Sequence, residues 1–157
     1  MNDTDYIRRV YQLERRMYRI AYAILWNDAD CADAVSEAVF RGWMKKDGLR
    51  EEAYLETWLI RILINCARDL LKKRSAVPLP EQYEPAGTES VEDGVLREAL
   101  QKLPDKYRLP LLLHHSEGYS LAEVAAMLKI PEPLVKSRLH QARAALRALL
   151  GEEDERS

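Results

Sequence analysis

The sequence predicts an all-α protein of two small helical domains joined by a Pro-rich linker. Apolar residues recur at helical spacing in every long segment, and no segment alternates apolar and polar residues as a strand would. Residues 75–89 contain three of the chain's seven prolines and no basic residue. Proline at this density disfavours both helix and strand, so we expect an extended linker between residues 1–74 and 90–157.

The composition limits the classes of function. The chain has 157 residues, of which 47% are hydrophobic and 32% charged, and a net charge of −2. It can bury a core, and it is not a globally basic, histone-like DNA binder, although a small net charge can conceal segregated charges. Residues 131–150 hold four bases and one acid, whereas the last seven residues hold four acids and one base. We expect that acidic end to be a frayed, solubilising tail.

Enzymatic and metal-binding classes are disfavoured. Only two cysteines occur, Cys31 and Cys66, too few and too distant for a disulfide framework or a zinc site, so we expect reduced, structural thiols in a cytoplasmic protein. His114 and His115 are adjacent and would point about 100° apart on a helix, which does not suit a metal. We find no nucleophile–base pair and no phosphate loop, and predict no cofactor.

Neither a signal peptide nor a transmembrane helix is predicted. The first nine residues, MNDTDYIRR, are polar and lack the apolar core of a signal peptide. No apolar run approaches the roughly 18–20 residues that a membrane span needs.

Residues 6–26 and the following segment up to about Met44 predict the first two helices. The turn 27–30 separates them, with Asp28 or Asp30 as the N-cap of the second. The predicted buried residues are Tyr6, Val10, Leu13, Met17, Ile20, Ala21, Ile24 and Leu25 in the first helix, and Ala34, Val35, Val39, Phe40 and Trp43 in the second.

A polar connection, residues 45–54, leads to a third helix that we expect to begin near Thr57. Its predicted apolar face is Trp58, Leu59, Ile62, Leu63, Cys66, Leu70 and Leu71, and its opposite face is a narrow polar stripe of Arg61, Asn65, Arg68 and Lys72. The run 72–74 is basic and would complement the helix dipole at the C-terminus.

The second half begins with a helix from Ser90 or Val91 to Leu103. Another helix follows from Pro104 and contains Pro110, which removes a backbone hydrogen bond and should bend it. The predicted core positions are Val95, Leu96, Ala99 and Leu103 in the former and Leu109, Leu112, Leu113 and Tyr119 in and after the latter.

Residues 118–150 predict a helical hairpin. Gly118 can end the preceding helix in a left-handed conformation, and Ser120 and Glu123 have capping-box spacing. A tight turn at 129–131 precedes a second helix that starts near 131–133. The predicted buried residues are Leu121, Val124, Ala125 and Leu128, then Val135, Leu139, Ala142, Leu146 and Leu149. The second helix has a basic opposite face, which suits a helix-turn-helix in a DNA major groove. An ordinary hairpin with a solvated basic face is the alternative.

The ordered set of segments resembles the extracytoplasmic-function (ECF) sigma factors of bacterial RNA polymerase. The resemblance covers roughly residues 6–150. It is carried by YRIAYAILWNDADCADAVSEAVFRGW, YLETWLIRILINCARDLLKKR, LPDKYRLPLLLHHSEGYSLAEVAAMLKIP and VKSRLHQARAALRALL. The Pro-rich linker, in place of a larger middle domain, also fits.

This resemblance implies a domain organisation and a set of partners. Residues 1–74 would be sigma region 2, residues 75–89 the linker, and residues 90–157 a helix-turn-helix of winged-helix-like, sigma region 4 type. The partners implied are core RNA polymerase, through its clamp and flap, promoter DNA and an anti-sigma factor. The protein would be cytoplasmic, without membrane insertion of its own, and an anti-sigma factor could hold it at the inner face of the membrane.

The resemblance also assigns residues. It implies polymerase binding by Asp30, Asp33, Glu37, Phe40, Arg41 and Trp43. It implies minus-ten contacts by Lys46, Arg50, Tyr54, Arg61, Asn65, Arg68, Lys72 and Lys73. It implies minus-thirty-five contacts by Lys136, Ser137, Arg138, His140, Gln141 and Arg143. Bland explanations stand beside these roles, because acids stabilise the first turn of any helix and a basic loop can simply be solvated.

The chain departs from the family pattern at four places. Ala32 replaces a usual acid, Ser36 a usual Gln, and Gln141 a usual Arg, while Glu132 and Pro133 stand in place of Gly-Thr. The first two changes predict a docking surface that is either weaker or spread further onto Arg41 and Trp43. The others predict weaker duplex binding by the second domain and allow a shift in base preference. Two other functions are compatible with the patterns: a stand-alone helix-turn-helix regulator with an N-terminal dimerisation or sensor domain, and a helical protein–protein adaptor.

Overall fold

The computed structural model describes residues 1–75 and 91–156. Seven α-helices lie in these ranges: α1 (Asp3–Leu25), α2 (Asp28–Lys45), α3 (Leu55–Ser75), α4 (Val91–Lys102), α5 (Asp105–Leu111), α6 (Leu121–Leu128) and α7 (Glu132–Arg156). Short 3₁₀ turns at Lys46–Gly48 and Glu52–Tyr54 connect α2 to α3. The same residues contain no β-strand, so the all-α prediction is confirmed.

The chain forms two compact units. Helices α1 to α3 make up unit 1, and α4, α5, α7 and most of α6 make up unit 2. Ser75 is the last residue of α3. The rest of the predicted linker lies outside the described residues. None of the described helices is long and apolar enough to span a bilayer.

Unit 1 is a three-helix assembly in which each helix contacts the other two. Its fully buried side chains include Met17, Ile20, Leu59, Leu63 and Ile64. The closest approach involves Gly42 of α2, where a Cβ atom would lie 2.5 Å from the Tyr6 hydroxyl oxygen and 2.9 Å from Leu59 Cδ1. That hydroxyl donates a 2.6 Å hydrogen bond to the Val39 carbonyl oxygen, and burial raises the pKa of Tyr6 to about 12.

Three boundary and burial predictions for unit 1 are wrong. The N-cap of α2 is Asn27, whose side chain accepts from the Asp30 amide. Helix α3 begins at Leu55 rather than near Thr57, because the 3₁₀ turn Glu52–Tyr54 leads directly into it. Phe40 and Trp43, expected in the core, are 54% and 44% exposed.

The buried surface of α3 includes residues outside its predicted apolar face. Helix α3 packs against both α1 and α2, so Ile60, Ile64 and Ala67 are buried as well, while Leu71 is 38% exposed. Burial of these additional residues follows from the packing of α3 against two neighbouring helices.

Both cysteines lie in the core of unit 1. Burial raises the pKa of the Cys31 thiol to about 11 and also raises the pKa of Cys66. Protonated, buried thiols are poor nucleophiles and poor metal ligands, which supports the structural role expected for them.

A buried arginine connects α5 to the C-terminal end of α4 in unit 2. Arg108, on α5, donates from Nη1 to the carbonyl oxygens of Leu103 at 2.7 Å and Leu100 at 3.3 Å, and it is only 8% exposed. It therefore closes the C-terminal end of α4, where helix carbonyls lack internal partners. Burial lowers the pKa of Arg108.

From residue 94 onwards, burial along α4 is confined to the C-terminal end. Ala99 and Leu103 are buried as predicted, but Val95 and Leu96 are 38% and 44% exposed, so their assignment to the core is wrong. The apolar periodicity of this segment thus includes residues that are exposed in the fold.

Pro110 lies inside α5 as predicted, and this helix is directly followed by a π-helical turn, Leu112–Ser116. Its defining bond runs from the Glu117 amide to the Leu112 carbonyl oxygen at 3.0 Å. Gly118 then ends the segment with a φ of 78°, as predicted.

The predicted helical hairpin is confirmed. Ser120 and Glu123 form a reciprocal capping box, with bonds of 2.9 and 3.1 Å, at the start of α6. Lys129 adopts a left-handed conformation at the end of α6, and α7 starts at Glu132. Of the residues predicted to be buried, five are buried and four are half-buried. The buried ones are Val124, Leu128, Val135, Leu139 and Ala142, and the half-buried ones are Leu121, Ala125, Leu146 and Leu149. Helix α7 continues to Arg156, past the predicted end at Leu150.

Candidate DNA-binding and protein-binding surfaces

An apolar groove runs between α1 and α2 of unit 1. It has a volume of about 540 Å³. Its lining is almost wholly apolar or aromatic: Tyr6, Ile7, Val10, Tyr11, Glu14, Tyr18, Val35, Ser36, Val39, Phe40 and Trp43. Phe40 and Trp43 form a tilted aromatic pair with ring centroids 6.4 Å apart, and Tyr11 is 78% exposed. Contiguous exposed apolar surface of this kind is typical of protein- or membrane-interaction sites and of ligand-binding grooves.

The charged residues of α2 differ in their availability. Asp33 is exposed. Glu37 accepts a 2.9 Å hydrogen bond from Arg41 one turn later, and this bond raises the pKa of Arg41. Asp30 is mostly covered and forms an ion pair with Arg74 of α3. Within this structure Asp30 thus joins the start of α2 to the end of α3, and Asp33 presents the more accessible carboxylate.

A polar cluster at the start of α1 borders the groove. Asp3 accepts hydrogen bonds from the Trp43 indole at 3.1 Å and from Lys46 Nζ at 3.1 Å, and these two bonds lower the pKa of Asp3. Lys46 lies 5.9 Å from the centroid of the Trp43 ring. Lys46 is therefore held beside the groove. Arg50 and Tyr54, which were predicted to contact the minus-ten element together with Lys46, are exposed on the connection between α2 and α3.

The polar stripe of α3 is accessible along its length. Asn65 and Lys72 are exposed, and Arg61 and Arg68 are half-buried. Lys73, also predicted to contact the minus-ten element, is exposed but lies outside the stripe, in a pocket that it lines with Glu37 and Arg41 of α2. The stripe combines cationic groups for phosphates with an amide that can pair with a base edge.

The recognition helix α7 presents most of its predicted contacts to solvent. Lys136, Ser137, His140 and Gln141 are exposed, and Arg138 and Arg143 are half-buried. Arg or Lys can bind a guanine edge and Gln an adenine edge. Arg143 differs from the others because its guanidinium donates to His115, from Nη2 at 2.7 Å and from Nε at 3.2 Å.

Three residues that the structure makes important were not assigned these roles from the sequence. His115 was considered only as a metal ligand, yet it bonds the recognition helix. Gly42 and Arg108 carried no sequence signal, since each depends on what lies opposite it in the fold. His114 Nδ1 lies 2.8 Å from the Tyr119 carbonyl oxygen and is engaged within its own loop.

Comparison with known families matches both units. A model of sigma-70 region 2 matches residues 10–77, and a model of sigma-70 region 4 matches residues 93–146. The chain is 33% identical to the ECF RNA polymerase sigma factor SigW of Bacillus subtilis, over 86% of this chain and 83% of that protein. It is 34% identical to the ECF RNA polymerase sigma factor SigM of Mycobacterium tuberculosis, over 87% of this chain and 72% of that protein.

Solved structures share the fold. The sigma factor RpoE from Bartonella quintana, solved with the anti-sigma factor NepR, superimposes with a TM-score of 0.79 at 23% identity, over 94% of this chain and 97% of that chain. CnrH, solved with the cytosolic domain of CnrY, superimposes with a TM-score of 0.75 at 26% identity, over 96% of this chain and 90% of that chain.

Proposed function

The chain belongs to the family of ECF RNA polymerase sigma factors, and on that premise we propose that it binds core RNA polymerase and directs promoter-specific initiation of transcription. The observation that carries this proposal is the combination of an apolar docking groove on one unit with an accessible basic recognition helix on the other. A stand-alone regulator needs the second feature, and its N-terminal dimerisation or sensor domain has no use for the cationic stripe of Arg61, Asn65, Arg68 and Lys72 on α3. A protein–protein adaptor needs the groove alone.

The two units divide the work in this proposal. The groove and the exposed acid Asp33 dock the polymerase clamp, and the stripe of α3 contacts the melted minus-ten element. Helix α7 contacts the minus-thirty-five element as duplex, and unit 2 meets the polymerase flap. Cationic side chains beside Asn65 suit a single strand, because they bind phosphates while the amide pairs with an unstacked base.

Control by an anti-sigma factor is part of the proposal. The related sigma factor RpoE was solved in complex with the anti-sigma factor NepR. The groove of unit 1 offers a partner helix the aromatic surface of Phe40 and Trp43, so an anti-sigma factor bound there would exclude polymerase. We place the protein in the cytoplasm, at the inner face of the membrane whenever its anti-sigma factor is membrane-bound.

Replacement of Phe40 by glutamate tests the docking groove. Phe40 is more than half exposed, so the change should leave the fold intact while it puts a charge into an apolar interface. Truncation of an aromatic hot spot costs about 2 kcal/mol or more, and we therefore expect at least roughly a 30-fold rise in the dissociation constant for core polymerase. The measurement is titration of the fluorescently labelled protein with core polymerase.

Met44→Glu is the matched control. Met44 is on the same helix and 63% exposed, but it does not line the groove. We expect its affinity for core polymerase to stay within about twofold of the unsubstituted protein. Equal losses from both variants, or none from Phe40→Glu, would remove the groove from the polymerase interface.

A further inference from the structure

The π-helical turn Leu112–Ser116 presents a histidine to the recognition helix. Each residue of an α-helix advances the side-chain direction by about 100°, so the wider π turn changes the face on which the residues after it lie. His115 lies in that turn and is exposed, and its Nε2 reaches two nitrogen atoms of Arg143 on α7. Twenty-eight positions in sequence separate these residues.

The contact fixes the protonation of the histidine. An arginine guanidinium remains protonated and can only donate. His115 Nε2 must therefore accept, which makes the ring neutral with its proton on Nδ1. Partial burial lowers the pKa of His115, and the charges of Arg143 from α7 and His114 from the same turn lower it further.

We propose that His115 is a positioning residue for promoter recognition, which holds the Arg143 guanidinium so that its remaining N–H groups bind DNA. This inference rests on the proposed function. Nε and one Nη2 hydrogen point to His115, which leaves Nη1 and the other Nη2 hydrogen as a paired donor edge. That edge fits two acceptors side by side, either the N7 and O6 atoms of guanine or two phosphate oxygens. Restraint before binding reduces the side-chain entropy lost on binding.

His115 and Arg143 lie in the same unit, so the role of their contact can be tested by replacing the acceptor at position 115. Alanine at position 115 removes the acceptor, whereas glutamine keeps an oxygen that can accept from Arg143. If His115 had only a structural role, its replacement would act through lost packing contacts, and the exposed ring of His115 makes few such contacts. Only the positioning role requires an acceptor at this place.

The experiment uses holoenzyme assembled from the full chain and core polymerase. A randomised duplex library is selected with the unsubstituted holoenzyme, and the preferred duplex and a shuffled duplex of equal composition serve as probes. His115→Ala should lower the affinity for the preferred duplex by about three- to tenfold, and His115→Gln should stay within about twofold of the unsubstituted protein. Lys136→Ala gives the scale for loss of a direct contact.

The pH profile supplies the second readout. Below its folded pKa, which is lower than the usual value of about 6.5, His115 becomes a cation that cannot accept and that repels Arg143. The affinity for the preferred duplex should therefore fall as the pH is lowered through that pKa, and His115→Gln should flatten this fall. His114 and His140 are present in both proteins and are controlled for by the comparison.

The outcomes are distinct. An unchanged affinity of His115→Ala for the preferred duplex, or equal losses for alanine and glutamine, overturns the positioning role while the sigma function stands. If no holoenzyme forms or no duplex is selected, the proposed function itself fails and this inference fails with it. Arg143→Gln then separates the two acceptors: loss of a phosphate contact reduces the slope of log affinity against log salt by about 1, and loss of a guanine contact removes preference at one base pair.

Discussion

Gly42→Ala is expected to lower the free energy of unfolding of unit 1 by about 2–4 kcal/mol. In an exposed helix interior the same change stabilises by up to roughly 1 kcal/mol. Here the new Cβ would meet the Tyr6 hydroxyl oxygen at 2.5 Å. That oxygen is held in place by its bond to the Val39 carbonyl, so it can move only by leaving a buried hydrogen bond. Overpacking and the strained bond together exceed the gain in helix propensity.

The measurement is urea unfolding followed by tryptophan fluorescence. All three tryptophans, Trp26, Trp43 and Trp58, belong to unit 1, so this signal reports that unit alone. The matched control is Gly48→Ala in the 3₁₀ turn Lys46–Gly48 of the same unit, where no atom lies within 4 Å of the added Cβ. We expect this control to change the free energy of unfolding of unit 1 by no more than about 0.5 kcal/mol. A Gly42→Ala protein as stable as the parent would show that α1 and α2 are not in close contact at this point.

Arg108→Ala is expected to destabilise unit 2 by about 2–3 kcal/mol. The change removes the donor that serves the Leu103 carbonyl and one of the donors that reach the Leu100 carbonyl. The Leu100 carbonyl oxygen still accepts a hydrogen bond from the Leu103 amide. The main loss therefore falls on the carbonyl oxygen of Leu103, which is a buried residue. The cavity left by the arginine stem adds to that loss.

Native-state hydrogen exchange checks this prediction, because it reports helices individually. Amide protection should fall in α4 and α5. Lys102→Ala is the control: it removes a cation from the same end of α4, but Lys102 is solvent-exposed and its ion pair with Glu98, at 3.5 Å, is a surface pair worth less than about 1 kcal/mol. If Arg108→Ala and Lys102→Ala reduce protection equally, the buried bonds of Arg108 contribute no more than a surface charge does.

Local features were predicted best from the sequence. The hairpin rests on Gly118, Ser120 and Glu123, whose roles depend on neighbours within a few residues, and the structure contains each of them. Burial depended on tertiary neighbours and was predicted less well. Phe40 and Trp43 have the spacing of core residues, yet they line an open groove. Periodicity identifies an apolar face and does not tell whether the protein itself or a partner covers it.

The candidate site shows the same division. The accessible faces of α3 and α7 followed from helical spacing alone. The ion pair of Asp30 with Arg74 and the bond of His115 with Arg143 join residues that are far apart in sequence. Their formation depends on how helices pack and, for His115, on a π turn that no sequence pattern specified. The DNA and polymerase contacts of individual residues remain predictions.

Promoter-dependent transcription tests the central proposal most directly. Core polymerase with and without the full chain would transcribe a pool of genomic fragments, and the 5′ ends of the RNA would be sequenced. We predict 5′ ends at a defined set of positions that share an upstream sequence, present only when the chain is added, and weak binding of the same fragments by the chain alone. Tight binding of duplex fragments by the chain alone, with no binding of core polymerase and no new 5′ ends, would contradict a sigma function and indicate a stand-alone DNA-binding regulator.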